Sequence, residues 1–282
     1  MIYEHEIPSG SKLYFGKNAK LKREIENIVS KILSQKGYEE IVTPYFSYHQ
    51  HNGLEEKKLI RFSDEKNHIL SLRADSTMDV VRLITKRLGR STEHKKWFYI
   101  QPIFRYPSNE FYQIGVERIG DVNLKEAISD IETIIKNLSI EPILQISNIN
   151  IPKLIAKNYG VDINIFKKAH LEKILKSDIK WLHKLAFLQK REQIEKISKE
   201  VPKEIAKEIV KMQQLAENIY CKNIVFAPLY YSEMIYYDDL FFRFFINNRT
   251  LGKGGIYKSE DIHSCGFALY TDNIIEELIS QG

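Results

Sequence analysis

Apolar residues recur at helical spacing through Leu21, Ile25, Ile28, Val29, Ile32 and Leu33, and Lys36-Gly37 then supplies a basic last turn and a terminating glycine. This predicts a helix, followed by β-rich text at YEEIVTPYF. Pro44 bars that segment from the middle of a sheet, because proline has no ladder donor, and places it at an edge or an interface. HILSLR, from His68 to Arg73, reads as a strand entering the helix of DSTMDVVRLITKRLG, with Ser76 and Asp79 at capping-box spacing and Gly89 as its end. WFYIQPIFRY and EFYQIGVERIG read as two strands joined by a tight turn through Pro107, Ser108 and Asn109. Helical periodicity returns from Leu124 to Leu138, and EPILQIS is a strand. NIVFAP, DLFFRFFIN, GGIYK and SCGFALY are further strands, and TDNIIEELIS is a closing helix. Strands linked by hairpins and flanked by helices predict an α+β fold with an antiparallel sheet. The chain, residues 1–282, reads as a single domain with a charged, glycine-poor helical insertion at about residues 152–220.

Within the second hairpin strand, Phe111, Gln113, Gly115, Glu117 and Ile119 share one face, and Tyr112, Ile114, Val116 and Arg118 the other. A glycine between an amide and a carboxylate weakens a strand unless something must approach the backbone there. Two readings stay open: a gap for a small cationic ligand held by Gln113 and Glu117, or a bulge on a solvated face. Asp75 and Thr77, at a strand-to-helix junction, suit capping as well as binding. By pattern alone Tyr236-Tyr237 and DLFFRFF are core or pocket lining.

Composition narrows the function. The 282 residues are 43% hydrophobic and 28% charged, which supports a full core. No run approaches the roughly 18 uncharged apolar residues of a membrane span, and MIYEHEIPSG does not read as a leader, so a cytoplasmic location without membrane association is expected. Cys221 and Cys265 have no metal-ligand spacing and read as reduced packing residues. The net charge of +5 comes with lysines alternating with glutamates, as in KREIENIVSK and KEIAKEIVK, which reads as solvated helix faces and not as a nucleic-acid stripe. LGKGG lacks the setting of a phosphate loop, and neither a metal nor another cofactor is expected.

Five segments in order resemble the class II aminoacyl-tRNA synthetase core, specifically its histidyl-tRNA synthetase branch. GYEEIVTP is similar to the first signature with its proline at Pro44, FRYPSNEFYQIGVERIG to the second with its arginine at Arg105, and SCGFALYTDN to a decayed third. Tyr236-Tyr237 and GGIYK resemble the two histidine-specific motifs. LRADSTMDVVR resembles more closely the text of the ATP phosphoribosyltransferase regulatory subunits, which are synthetase-like and lack the tRNA module.

The departures lie mainly on the nucleotide side. Tyr106-Pro107-Ser108-Asn109 replaces the longer ATP loop, and Asp272-Asn273 falls where the third signature has Glu-Arg. Loss of phosphate-facing arginines removes stabilisation of the charge that develops as an adenylate forms. No anticodon-binding domain is expected. On the amino-acid side the resemblance assigns Asp75, Thr77 and Gln113 to the α-amino group of histidine, Glu117 to the imidazole, Tyr237 and Tyr257 to closure around the ring, and Arg105 to the carboxylate. Ser232 and Ile256 stand where that family carries arginines.

The resemblance implies a non-catalytic subunit that binds L-histidine and regulates a short catalytic ATP phosphoribosyltransferase subunit, which joins ATP to phosphoribosyl pyrophosphate. It implies a homodimer, paired through the first-signature region, within a larger hetero-oligomer. The alternatives are a free-standing amino-acid-activating paralogue and a scaffold with a vestigial pocket.

Overall fold

The computed structural model describes residues 6–48, 50, 54–89, 91–232, 236–259 and 261–281; the first five residues of the start segment lie outside this set. The chain forms two compact units, one built from residues 1–121 and 259–282 and the other from residues 122–258.

In the first unit, helix α1 (Gly16–Gln35) buries Ile25, Val29 and Leu33 at the predicted spacing. It ends before Gly37, whose φ of +80° is the left-handed conformation that glycine adopts without steric cost. The hairpin β5 (Lys96–Arg105) and β6 (Asn109–Arg118) pairs residue for residue from Lys96↔Arg118 to Arg105↔Asn109. Strand β11 (Ile262–Tyr270) adds antiparallel to β6, and the two-residue strand β1 (Glu39–Glu40) adds to β5. Helix α10 (Thr271–Gln281) follows β11 directly. Three further strands, β2 (Phe46–Ser47), β3 (Arg61–Ser63) and β4 (Ile69–Leu72), form a separate small sheet ordered β2-β4-β3.

The segment around Pro44 is thus split. Glu39-Glu40 holds a sheet edge and Phe46-Ser47 pairs with β4, with the proline between them, free of any ladder. The turn after β5 is tight as predicted. It is pinned from the N-terminal side, where Ser108 Oγ donates to the Ser9 carbonyl at 2.6 Å and the Glu110 amide to the Gly10 carbonyl at 2.9 Å.

The second unit contains helices α3 (Leu124–Asn137), α4 (Asn150–Tyr159), α5 (Ile163–Lys167), α6 (Leu171–Leu175), α7 (Lys180–Ala186), α8 (Arg191–Glu200) and α9 (Lys203–Leu215), the last six in succession joined by short loops. Its strands are β7 (Ile143–Asn148), β8 (Asn223–Phe226), β9 (Tyr237–Ile246) and β10 (Arg249–Ser259), ordered β10-β9-β7-β8.

The strand pairings are antiparallel as expected except at two ends, where β1 runs parallel to β5 and β8 parallel to β7; both are short edge additions that arrive from a preceding helix and not through a hairpin. One expectation changes. The capping box at Ser76 and Asp79 is absent. Ser76 Oγ accepts from Gln101 Nε2 at 3.0 Å, and Asp79 is bound by Ser47 Oγ at 2.8 Å and Gln50 Nε2 at 2.6 Å. Helix α2 (Thr77–Leu83) is capped instead by Asp75, whose Oδ1 accepts from the Met78 amide at 3.3 Å. A π turn over Ile84–Leu88 closes it, and Gly89, at φ −59°, is not a left-handed terminator.

Candidate functional site

Gly115 is paired with Tyr99 across the hairpin, and the tyrosine ring folds over it: a Cβ built on Gly115 would lie 2.0 Å from Tyr99 Cζ. What approaches the backbone here is a side chain of the chain itself. The bulge and the solvated face are both excluded, because β6 is buried from Gln113 to Arg118 and its pairing with β5 is unbroken.

Lying over Gly115, Tyr99 carries its hydroxyl to the carboxylate two residues along. It donates to Glu117 Oε1 at 3.3 Å and stands 3.5 Å from Thr77 Oγ1. Burial, then the negative charge of Glu117 and Asp75, pushes the phenol pKa well above its ordinary value, so it remains a neutral donor. The other oxygen of Glu117 rests against Gly266 on β11, where a Cβ would stand 2.4 Å from Oε2. Two glycines on adjacent strands therefore make room for one tyrosine and one carboxylate.

Asp75, Thr77, Gln113 and Glu117 are all buried in the first unit. Asp75, Thr77 and Glu117 converge around the Tyr99 hydroxyl, through direct contact for Thr77 and Glu117 and through charge for Asp75. Gln113 lies four residues before Glu117 on the same face of β6, opposite Gln101. Arg105 is anchored beside this group: its Nε donates to the Ala74 carbonyl at 3.2 Å and its guanidinium stands 5.6 Å from the Phe111 ring centre. Carboxylates, amide and hydroxyls around one strand-to-helix junction form an acceptor-rich surface suited to a cationic group.

The tyrosines of the second unit form an aromatic cluster of their own. Tyr237 stacks on Phe241 at 5.6 Å, and Tyr236 stands edge-on to Tyr237 at 5.3 Å and to Tyr257 at 5.8 Å. Gly255 admits the Tyr237 ring, since a Cβ there would be 2.9 Å from Cε1. Tyr237 and Tyr257 are both buried.

Tyr99 was the residue that sequence reasoning missed. In text it is one aromatic in the run WFYI; the signal is its place opposite Gly115 once the turn at 107–109 sets the register, an aromatic covering a cross-strand glycine.

Residues 14–274 match the family model described as histidyl-tRNA synthetase. The ATP phosphoribosyltransferase regulatory subunit of Wolinella succinogenes is 48% identical over 280 residues, covering 99% of this chain and 98% of that protein. The regulatory subunit of Helicobacter hepaticus is 41% identical, covering 99% and 100%. This chain belongs to the ATP phosphoribosyltransferase regulatory subunit family, a branch of the histidyl-tRNA synthetases. Solved structures agree on the fold: a Bacillus halodurans chain described as a regulatory subunit or histidyl-tRNA synthetase superposes with a TM-score of 0.84 at 21% identity, covering 99% of this chain and 84% of that one. The apo histidyl-tRNA synthetase of S. aureus gives 0.70, also at 21% identity, covering 100% and 75%.

Asp272, in the third-signature position, is buried; it accepts from Tyr14 Oη at 2.5 Å and from the Tyr112 amide at 3.0 Å, tying β6 to the N-terminal segment. Burial, then the hydrogen bond to Asp272, raises the Tyr14 pKa. Cys265 is fully buried, and burial pushes its thiol up to about 12, in keeping with a packing residue. Among the described residues no helix is long and apolar enough to cross a membrane.

Proposed function

We propose that this regulatory-subunit family member is a non-catalytic, cytoplasmic histidine sensor that supports and feedback-regulates a short catalytic ATP phosphoribosyltransferase subunit. Within the first unit, Asp75, Thr77 and Gln113 are our candidates for the α-amino group, Glu117 for the imidazole and Arg105 for the carboxylate. The observation that carries this reading is the Thr77–Tyr99–Glu117 group. It is buried and pre-oriented, and its tyrosine is a neutral donor that holds one oxygen of Glu117 in place.

The nucleotide side supports the same reading. The turn that replaces the ATP loop is held by Ser9 and Gly10, and Asp272 is engaged in packing. Chemistry would then reside in the partner, and coupling between its active site and this chain's histidine site would be the regulation.

Self-association fits the first-signature region. Val42, Tyr45, Phe46, Tyr48, Phe62 and Ile69 are between 43% and 81% exposed. Four of the six are tyrosine or phenylalanine, the residue types enriched at protein–protein interfaces. A second copy of this chain is the occupant we assign.

The test is reconstitution. Purified chain mixed with a short catalytic ATP phosphoribosyltransferase subunit should raise phosphoribosyl transfer, and L-histidine should then change the rate. Transfer that is indifferent to this chain would refute the regulatory role, and histidine-dependent pyrophosphate exchange by this chain alone would reveal an enzyme.

A further inference from the structure

The segment that carries the exposed apolar side chains has a second face. Thr43, Ser47 and Gln50 are buried to 4%, 6% and 2% exposure, while Val42 just before them and Tyr45, Phe46 and Tyr48 between them are exposed. The three inward residues are all bonded into the region of the candidate site. Gln50 spends its amide on the loop that bears Asp75: its Oε1 accepts from the Ala74 amide at 2.8 Å and the Asp75 amide at 2.7 Å. Its Nε2 donates to the Asp75 carbonyl at 2.9 Å and to Asp79 Oδ2 at 2.6 Å. That fills two acceptor and two donor places, the full capacity of an amide side chain.

Ser47 and Thr43 repeat the pattern. Ser47 Oγ donates to Asp79 Oδ1 at 2.8 Å. Thr43 Oγ1 accepts from Gln101 Nε2 at 3.1 Å, and the same amide donates to Ser76 Oγ at 3.0 Å. Arg73 completes the lock, with Nη1 donating to the Thr43 carbonyl at 2.9 Å and the Pro44 carbonyl at 3.2 Å.

We infer that Gln50 is a positioning residue that couples the Asp75–Thr77 site to the outer face of its own segment, so that seating a second copy of this chain on that face fixes the loop in its ligand-ready form. The inference rests on the proposed histidine site and self-association, and names how the two are linked. Two discrete arrangements of segment 43–50 would give the linkage, and reciprocity then requires histidine to favour the assembled state.

Phe46→Glu replaces a side chain that is 60% exposed and whose ring meets that of Phe62, and it should break self-association, read by sedimentation velocity. It should also speed hydrogen exchange at the Ala74 and Asp75 amides, which donate to Gln50, by 10-fold or more, and weaken L-histidine binding by about 5-fold. In a Gln50→Met background, or Gln50→Glu where the methionine variant does not fold, exchange at these amides should already be fast and Phe46→Glu should no longer alter histidine affinity. Loss of self-association with unchanged exchange at Ala74 and Asp75 overturns the coupling. Faster exchange in a chain that binds no histidine leaves the coupling supported and refutes the sensor reading instead. An unchanged oligomeric state in Phe46→Glu overturns the assigned outer face and the coupling with it.

Discussion

At the scale of single residues, the candidate site depends on small substitutions in a close-packed setting. Glu117→Gln keeps the shape and removes the charge that the proposed function sets against the imidazole. It should weaken histidine binding by about 1.5 to 3 kcal/mol, the range for a hydrogen bond to a charged group; a calorimetric titration showing unchanged affinity would remove Glu117 from the pocket. Gly115→Ala places a methyl group where the Tyr99 ring lies. Overpacking of this kind costs about 1 to 3 kcal/mol, and the ring can escape only by withdrawing its hydroxyl from Glu117 and Thr77. Gly115→Ala should therefore lower both stability and histidine affinity, while Tyr99→Phe, which keeps the ring and removes only the hydroxyl, should lower affinity with the smaller stability loss. Equal stability of Gly115→Ala and the native chain in urea would contradict the close approach.

At the scale of elements, a buried arginine at the junction of β4 and α2 ties it to Thr43, Pro44 and Pro102. Arg73 is fully buried, and its guanidinium also donates to the Pro102 carbonyl, from Nη2 at 2.7 Å and from Nε at 3.0 Å. Burial lowers its pKa to about 10, so it stays charged at neutral pH. Arg73→Leu orphans three carbonyls and should cost about 3 to 5 kcal/mol; a loss under about 1 kcal/mol in denaturant titration would mean the carbonyls find water.

The β3–β4 turn makes a pH prediction. Asp64 is lowered to about 2, first by the His68 backbone amide, then by the Tyr48 hydroxyl, the His68 ring and the Lys66 amide. A carboxyl lowered in the folded state contributes stability above its ordinary value near 4 and loses it as pH falls through the folded value. The Lys66 and His68 amides should thus stay protected from exchange at pH 4 and lose protection only toward pH 2; loss already at pH 4 would contradict the bonding.

These elements also show what could be read from sequence. The hairpin was legible because alternation and a Pro-Ser-Asn turn agree on one register, and α1 because its apolar spacing and Gly37 agree. The cap of α2 was not, because Gln101, distant in sequence, takes the Ser76 hydroxyl and leaves capping to Asp75. Gln50 carries no local signal at all: it is a polar residue in loop text, and only the fold brings Ala74 and Asp75 to it. The parallel edges at β1 and β8 are set by tertiary placement of strands too short to carry a pattern.

At the scale of the whole molecule, the family resemblance supplied the ordered signatures, and the structure supplied reasons for the departures from them. The proposed function reads the buried acceptor-rich group around Tyr99 as the amino-acid side and Asp272, bonded to Tyr14 and the Tyr112 amide, as a nucleotide-side position taken over by packing. That asymmetry is the central claim, and a calorimetric titration of L-histidine into the purified chain, with and without ATP and magnesium, tests it most directly. The account predicts saturable histidine binding that ATP and magnesium leave unchanged. Binding that appears only with ATP, or no binding under either condition, would contradict it.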